Sequence, residues 1–471
     1  MIRRDHQHGA ILVLAALSLI VLCGAVGLAI DAGRAYGVKA RLNAAVDAAA
    51  IATARALAEG NSEGERLTHA REAGLRFFRL NYPAGFLGAT ASEPAIDTRK
   101  LEDGRWVVDI SASADMPTTF MRVLGRNAFE VSAAGQATRR DLDVMLVMDS
   151  SGSLGSAMSP LKQAAINNFI SRFVAGPGGD RVGLVSFAAG AVVDVPIDKT
   201  ATRGFDRAAM TTAINRLSAV GTTATAEGLA RALAELDAIP SGLRSGLRVI
   251  LLFSDGAPNV INGRFLRADG SIVPPDGPGN LHSEAGSSSM LAGGRLLCAA
   301  SDGACQVVPA DRRNGAAIWY SSGDHPSVER PQITYLPLIG SGDVPLASHN
   351  GQRALTTAAG TPDHPYENTR CNVNRAARNM VENIAHRARN EDIRIYTIGL
   401  GSQLNGLEIG FCGYTLAAEQ GSALLRRVAN TADSDSLDAS QPRGLYCFAA
   451  EPQELDRCFS AIASEVLRLS L

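Results

Sequence analysis

The chain has 471 residues, with 45 Lys and Arg against 47 Asp and Glu, a formal net charge of −2 and only 5% aromatic residues. That balance leaves no basic, aromatic footprint for nucleic acid. From the N-terminus, Arg3 and Arg4 precede an uncharged apolar run, Ala10 to Ile30, whose 21 residues suffice to cross a bilayer as a helix. The positive-inside rule then leaves residues 1–9 in the cytoplasm and exports everything after Asp31. A cleaved secretory signal would have a shorter core ending at a small-x-small site, whereas here helix-forming sequence runs straight on. Asp31 to Leu57 keeps an apolar stripe at Val38, Leu42, Ala45, Val46, Ala49, Ile51 or Ala52, and Ala56. One helix of nearly fifty residues is expected, half in lipid and half amphipathic.

Three stretches of this helix carry a resemblance: Gly9-Ala10, Ile30-Asp31-Ala32-Gly33-Arg34-Ala35-Tyr36, and Arg41-Leu42-Asn43-Ala44-Ala45-Val46-Asp47-Ala48-Ala49-Ala50. Over about residues 8–58 the chain resembles the TadE/TadG-like Flp pilus-assembly proteins. Type IV prepilins place Glu at the fifth position after the cleaved Gly, where this chain has Leu14. A retained single-pass anchor is therefore the expectation. The rest of residues 31–140 reads as a small exported α+β module, pilin-like in outline by analogy only. It has strands near Arg105–Ala112 and Phe129–Ala137, with a turn and short helix at Met116–Gly125 between them.

From residue 141 to 471 the pattern changes. Val144-Met145-Leu146-Val147-Met148 is a short apolar run of the kind found in buried parallel strands, and it ends in Asp149-Ser150-Ser151-Gly152-Ser153. Asp149, Ser151 and Ser153 supply three small oxygen ligands that suit Mg²⁺, Mn²⁺ or Ca²⁺ at the carboxyl end of a sheet. A helix over Pro160–Phe173, a strand over Arg181–Phe187, an edge partner at Ala191–Ile197, and helices near Phe205–Leu217 and Thr223–Asp237 follow. A second buried strand, Arg248–Ser254, ends in Asp255-Gly256. A helix over Asn374–Arg389 leads into the strand Ile393–Gly399, and a last helix covers about Pro452–Leu469. Alternation of this kind predicts a doubly wound parallel α/β sheet.

The DxSxS loop, the Gly221-Thr222-Thr223 loop and the Asp255 strand end, in that order, resemble the metal-ion-dependent adhesion site of von Willebrand factor A domains, a Rossmann-like fold. The resemblance implies a divalent metal, Mg²⁺ first, with Mn²⁺ or Ca²⁺ as alternatives. It implies that Ser151 and Ser153 are direct ligands, joined by Thr223 (Thr222 being second choice), with Asp149 and Asp255 acting chiefly through waters. A carboxylate from a partner's Asp or Glu would complete the shell. Residues 257–370, dense in Gly, Pro, Ser, Asp and Asn without helical period, read as a long insertion beside this site. Its four histidines, His282, His325, His349 and His364, lack metal-ligand spacing and read as solvated. Asp433, Asp435 and Asp438 read as a solvated acidic loop rather than a Ca²⁺ site.

Cys23 lies in the apolar span, leaving six cysteines beyond it: Cys298, Cys305, Cys371, Cys412, Cys447 and Cys458. An even set fits three disulfides in an oxidising compartment. Short closures favour Cys298–Cys305 and Cys447–Cys458, leaving Cys371–Cys412. No P-loop, HExxH, GxSxG or Cys–His arrangement is present, so no enzyme is expected. The resemblances imply a single-pass protein of the bacterial inner membrane with its bulk in the periplasm, or one carried to the surface or pilus tip. Expected partners are other tad pilus components and a protein or surface ligand bound through the metal. The alternative is a structural assembly scaffold whose metal site is vestigial or only stabilising.

Overall fold

The computed structural model describes residues 8–57, 63–101, 105–188, 190–219, 221–267, 270, 272–273, 279–282, 295–297, 333–405 and 420–470. The chain divides into two units that part between Arg140 and Asp141.

In the first unit, helix α1 (His8–Ala56) is continuous for 49 residues. It is the one helix among the described residues long and apolar enough to cross a membrane. Val13, Leu17, Ile20 and Leu22 in its first half are exposed, while Val38, Leu42, Ala45, Val46, Ala49, Ala52 and Ala56 are buried. Between the two candidates, Ala52 faces inward and Ile51 stays 46% exposed. A second helix, α2 (Glu63–Asn81), was not anticipated. Its buried face is mostly small, Ala70, Ala73 and Gly74 with Phe78, so its sequence shows little amphipathic contrast. Gly74 lies against Thr53 of α1, with no room for a Cβ. Strands β1 (Thr90–Ala91) and β2 (Ala95–Lys100) pair with one edge of β3 (Trp106–Pro117), and β4 (Ala128–Arg139) pairs along the whole of the other, all antiparallel. β3 alternates buried and exposed residues over most of its length and closes a small core with α1.

The second unit is a six-stranded sheet. It uses β5 (Leu142–Asp149), β6 (Arg181–Phe187), β7 (Ala191–Val195), β8 (Leu247–Ser254), β9 (Ile393–Leu400) and β10 (Tyr446–Ala449), in the order β10-β9-β8-β5-β6-β7. Every neighbouring pair is parallel except the edge pair β6–β7. All eight residues of β5 and of β8 are buried, as a strand covered on both faces requires. Val144, Leu146 and Met148 face α3 (Met158–Ala164), α4 (Arg207–Arg216) and α8 (Leu455–Leu469). Met145 and Val147 face α5 (Thr225–Asp237), α6 (Arg370–Asn390) and α7 (Gly421–Ala429). The helix expected over Pro160–Phe173 is not uniform. α3 gives way to a π turn at Ala165–Phe169 and a 3₁₀ turn at Ile170–Arg172, and the Phe169 and Phe173 rings pack 4.9 Å apart.

Where it is described, the insertion is ordered into short antiparallel strands, among them Val260–Gly263 against Gly279–His282 and Ile333–Leu336 against His364–Glu367. Residues 345–356 are tied to α6 by asparagine side chains. Asn383 donates to the Pro345 and Ala347 carbonyls, and Asn379 to those of Leu346 and Arg353. His349 is not simply solvated, since its ring stacks on His386 of α6 at 4.5 Å. His364 Nε2 lies 3.1 Å from the Arg264 carbonyl, and His325 falls outside the described residues. The acidic run is paired rather than free. Asp433 meets Arg426 at 3.0 Å, Asp435 meets Arg427 at 3.5 Å, and Asp438 accepts from Ser440. Cys447 and Cys458 form a disulfide and Cys371 is disulfide-bonded, while Cys298, Cys305 and Cys412 lie outside the described residues.

Candidate metal centre

β5 and β8 run side by side in parallel, with Met148 opposite Phe253, so the residues that follow both strands emerge at the same edge of the sheet. That register brings Asp149 and Asp255 together across 106 positions of sequence. Both are buried, at 0% and 8% exposure. Ser151 and Ser153 stand between them. Their hydroxyl oxygens are 3.0 Å apart, and they lie 3.4 Å and 2.9 Å from Asp255 Oδ1. The Ser151 backbone N–H donates to Asp149 Oδ1 at 2.8 Å, closing the turn that aims its side chain inward. Ser150 points away, its hydroxyl donating to the Phe187 carbonyl of β6.

The third segment is the loop before α5. Gly221 has φ 78°, a left-handed conformation open to glycine at no steric cost, and its carbonyl accepts the Gly152 N–H at 3.0 Å. Thr223 is buried, and its Oγ1 lies 4.0 Å from where a Cβ on Gly256 would sit, beside Asp255. The Thr222 hydroxyl is buried and makes no hydrogen bond. Of the residues singled out from sequence, Asp149, Ser151, Ser153 and Asp255 are joined by direct contacts, and Thr223 flanks them.

Two further residues shape the site. Ser254 Oγ donates to Asp149 Oδ2 at 2.6 Å, orienting that carboxylate from the next strand. Asn259 Oδ1 accepts the Thr223 N–H at 3.0 Å and its own N–H donates to the Thr223 carbonyl at 3.1 Å, holding the threonine loop in place. Neither was readable from sequence. Ser254 looked like strand and Asn259 like loop, and only the folded register makes them neighbours of the acids.

The electrostatics are one-sided. Burial, and then the neighbouring Asp255, push the Asp149 carboxyl up to about 7. Burial likewise raises Asp255. No lysine or arginine pairs with either among the described residues. Two buried carboxylates with hydroxyls between them and no cation form a hard-oxygen donor set, which fits a small divalent ion such as Mg²⁺. Among the described residues no group of three or more His, Cys, Asp or Glu is placed to hold a metal. Any ion here would depend on hydroxyl ligands.

Residues 143–269 match the von Willebrand factor type A domain, and residues 9–56 match the TadE/G-like Flp pilus-assembly family. No curated protein matches the chain. Among solved structures, one similar fold is the vWF domain of the type V pili tip protein Mfa5 from Porphyromonas gingivalis. It is 15% identical over 71% of this chain and 98% of that one, with a TM-score of 0.35. The PilB minor pilin from Streptococcus sanguinis is 13% identical over 82% of this chain and 80% of that one, also at 0.35. The pilus adhesin SpaC from Lactobacillus rhamnosus GG is 13% identical over 80% of this chain, which spans 34% of SpaC, with a TM-score of 0.35. The chain thus joins a TadE/G-like Flp pilus-assembly segment to a von Willebrand factor type A domain.

Proposed function

We propose that this protein is a membrane-anchored component of a Flp (tad) pilus system whose A domain binds a protein or surface ligand through a divalent metal. Asp149, Ser151, Ser153, Thr223 and Asp255 would hold the ion, Mg²⁺ first. The observation that carries this reading is the buried Asp149–Asp255 pair, set among hydroxyls and lacking a cationic partner among the described residues. A bound ion coordinated largely by neutral hydroxyls keeps much of its positive charge and accepts one more oxygen, such as a partner's carboxylate. Ser254 holds the Asp149 carboxylate and Asn259 holds the Thr223 loop, which supports this reading. The role is binding rather than catalysis. α1 supplies the anchor, with the A domain exported to the periplasm or beyond.

The test is Mg²⁺ titration of the full-length protein by calorimetry, alongside pilus assembly and surface attachment in producing cells. Asp149→Ala should abolish Mg²⁺ binding and attachment while the protein remains exported and folded. EDTA should mimic the substitution, and Mg²⁺ or Mn²⁺ should reverse EDTA in the unmodified protein only. Pili and attachment at normal levels with Asp149→Ala would replace the metal-adhesion reading with that of a structural scaffold.

A further inference from the structure

In the first unit, the loop between β3 and β4 folds back onto the apolar half of α1. The Asp31 carboxylate is fully buried and accepts three consecutive backbone N–H groups, those of Thr119, Phe120 and Met121, each at 2.9 Å. Arg34 adds a bond from Nη1 to Thr119 Oγ1 at 2.6 Å. One helical turn earlier, Gly27 lies directly under the Phe120 ring, where an added Cβ would come within 2.6 Å of Phe120 Cβ. Asp31 of the TadE/G-like segment therefore acts as a clasp that fixes loop 118–126 against the helix.

The height of that clasp matters. Gly27 precedes the last apolar residue of the span, Ile30, by three positions, so at 1.5 Å per residue Phe120 lies about 4.5 Å inside the apolar boundary. Yet Phe120 is 44% exposed and Val123 is 89% exposed, an unfavourable display in water. Seven backbone N–H groups of the loop are bonded within the protein, as lipid demands. Besides the three amides on Asp31, the N–H groups of Thr118, Val123, Gly125 and Arg126 bond to the carbonyls of Asn127, Phe120, Arg122 and Met121. The Thr118 hydroxyl donates to the Arg126 carbonyl. Arg122 and Arg126 flank the apolar tip and are exposed, and long basic side chains can carry their charge to lipid phosphates with their stems along the acyl boundary.

We propose that loop 118–126 is a second membrane contact, inserting Phe120 and Val123 into the outer-face lipid beside α1, with Arg122 and Arg126 at the phosphate level. The inference rests on α1 crossing the bilayer. What it adds is that the exported module is seated on the membrane rather than tethered above it, so that α1 cannot leave lipid without also extracting this loop.

The experiment uses the full chain in vesicles of phosphatidylethanolamine and phosphatidylglycerol containing lipid brominated in the upper acyl chain. A tryptophan is introduced as Val123→Trp, at a site too exposed to disturb folding, and separately as Leu17→Trp, in the exposed apolar half of α1. The fluorescence each adds over the parent protein is recorded. The expectation is that bromolipid removes about half or more of the added signal from both variants, as for side chains buried in the acyl boundary, and that iodide reaches neither. If Leu17→Trp is quenched by bromolipid but Val123→Trp is not, the anchor stands and the loop proposal is overturned. Within that outcome, shielding of Val123→Trp from iodide would mean that protein, a second copy or another pilus component, covers the loop instead of lipid. If neither is quenched by bromolipid, the anchor reading fails and the proposal falls with it.

Discussion

The two ends of β5 each bury an aspartate at 0% exposure, and the protein treats them in opposite ways. At the start of the strand, Asp143 is surrounded by positive charge and donors. Arg181 lies at 3.1 Å, Arg203 at 3.4 Å, and the Ser245 N–H and hydroxyl each at 2.7 Å. At the far end, Asp149 has a hydroxyl, one backbone N–H and a second carboxylate nearby. Elsewhere in the unit the rule of Asp143 holds. Glu382 of α6 is buried against Arg353 at 3.0 Å and Arg427 at 3.2 Å. A buried charge is costly unless it is paired, and among the described residues no lysine or arginine pairs with Asp149 or Asp255. The sheet's amino-terminal edge is finished by the chain itself. Its carboxyl-terminal edge is the one where we propose that an ion completes the site.

The same substitution at both ends should break this comparison most sharply. Asp143→Asn leaves Arg181 buried without the carboxylate at 3.1 Å, while Arg203 keeps Asp141 at 3.4 Å, and should cost about 3–5 kcal/mol of unfolding free energy. Asp149→Asn in EDTA removes one of two like charges in a buried site, keeps an acceptor for the Ser151 N–H, lets the Ser254 hydroxyl accept from the new amide while donating to the Gly256 carbonyl 3.0 Å away, and should raise the denaturation midpoint. Urea unfolding of both variants in EDTA reads the two signs. A loss at Asp149 as large as that at Asp143 would mean that both acids are structural.

Metal addition comes next in size. An ion that binds only the folded state stabilises by about 2.7 kcal/mol at a hundred times its dissociation constant. Mg²⁺ should deliver that to the unmodified chain and to Asp143→Asn wherever the latter folds, and nothing to Asp149→Asn. An equal Mg²⁺ gain in Asp149→Asn would place the ion elsewhere.

The two edges were also unequally legible. β5 and β8 stand out because strands buried on both faces must be apolar throughout, and Asp149 and Asp255 stand out because they end those runs. Helix α1 was readable for the same reason, a long apolar run continuing into a stripe. Arg181, Arg203 and Ser245 carry no such signal, since what makes them partners of Asp143 is the meeting of three distant segments. Ser254 and Asn259 are hidden likewise. α2 escaped notice because a close helix pair needs Ala and Gly at its contact, which blunts the apolar stripe. The insertion's strands are two to five residues long, too short for periodicity to resolve. Asp31 was visible as a motif residue, but its use as a cap for residues 119–121 depends on a loop 88 positions away.

The smallest expected effect tests whether the threonine loop belongs to the metal centre or only lies near it. Gly221 holds φ 78° and accepts the Gly152 N–H, linking the loop that carries Thr223 to the one that carries Ser151 and Ser153. Alanine there adopts the left-handed conformation at a cost of about 1 kcal/mol. Gly85, in the other unit, has φ 73° with nothing within 4 Å of its would-be Cβ, so Gly85→Ala carries a similar backbone cost with no link to the site. In EDTA each variant should lose about 1 kcal/mol from the unit that carries it. Mg²⁺ affinity measured by calorimetry should separate them, falling about tenfold or more for Gly221→Ala, as for changes to residues that orient metal ligands, and not at all for Gly85→Ala. Unchanged affinity in Gly221→Ala would detach Thr223 from the centre and reduce the ligand set to the two aspartates and two serines at the ends of β5 and β8.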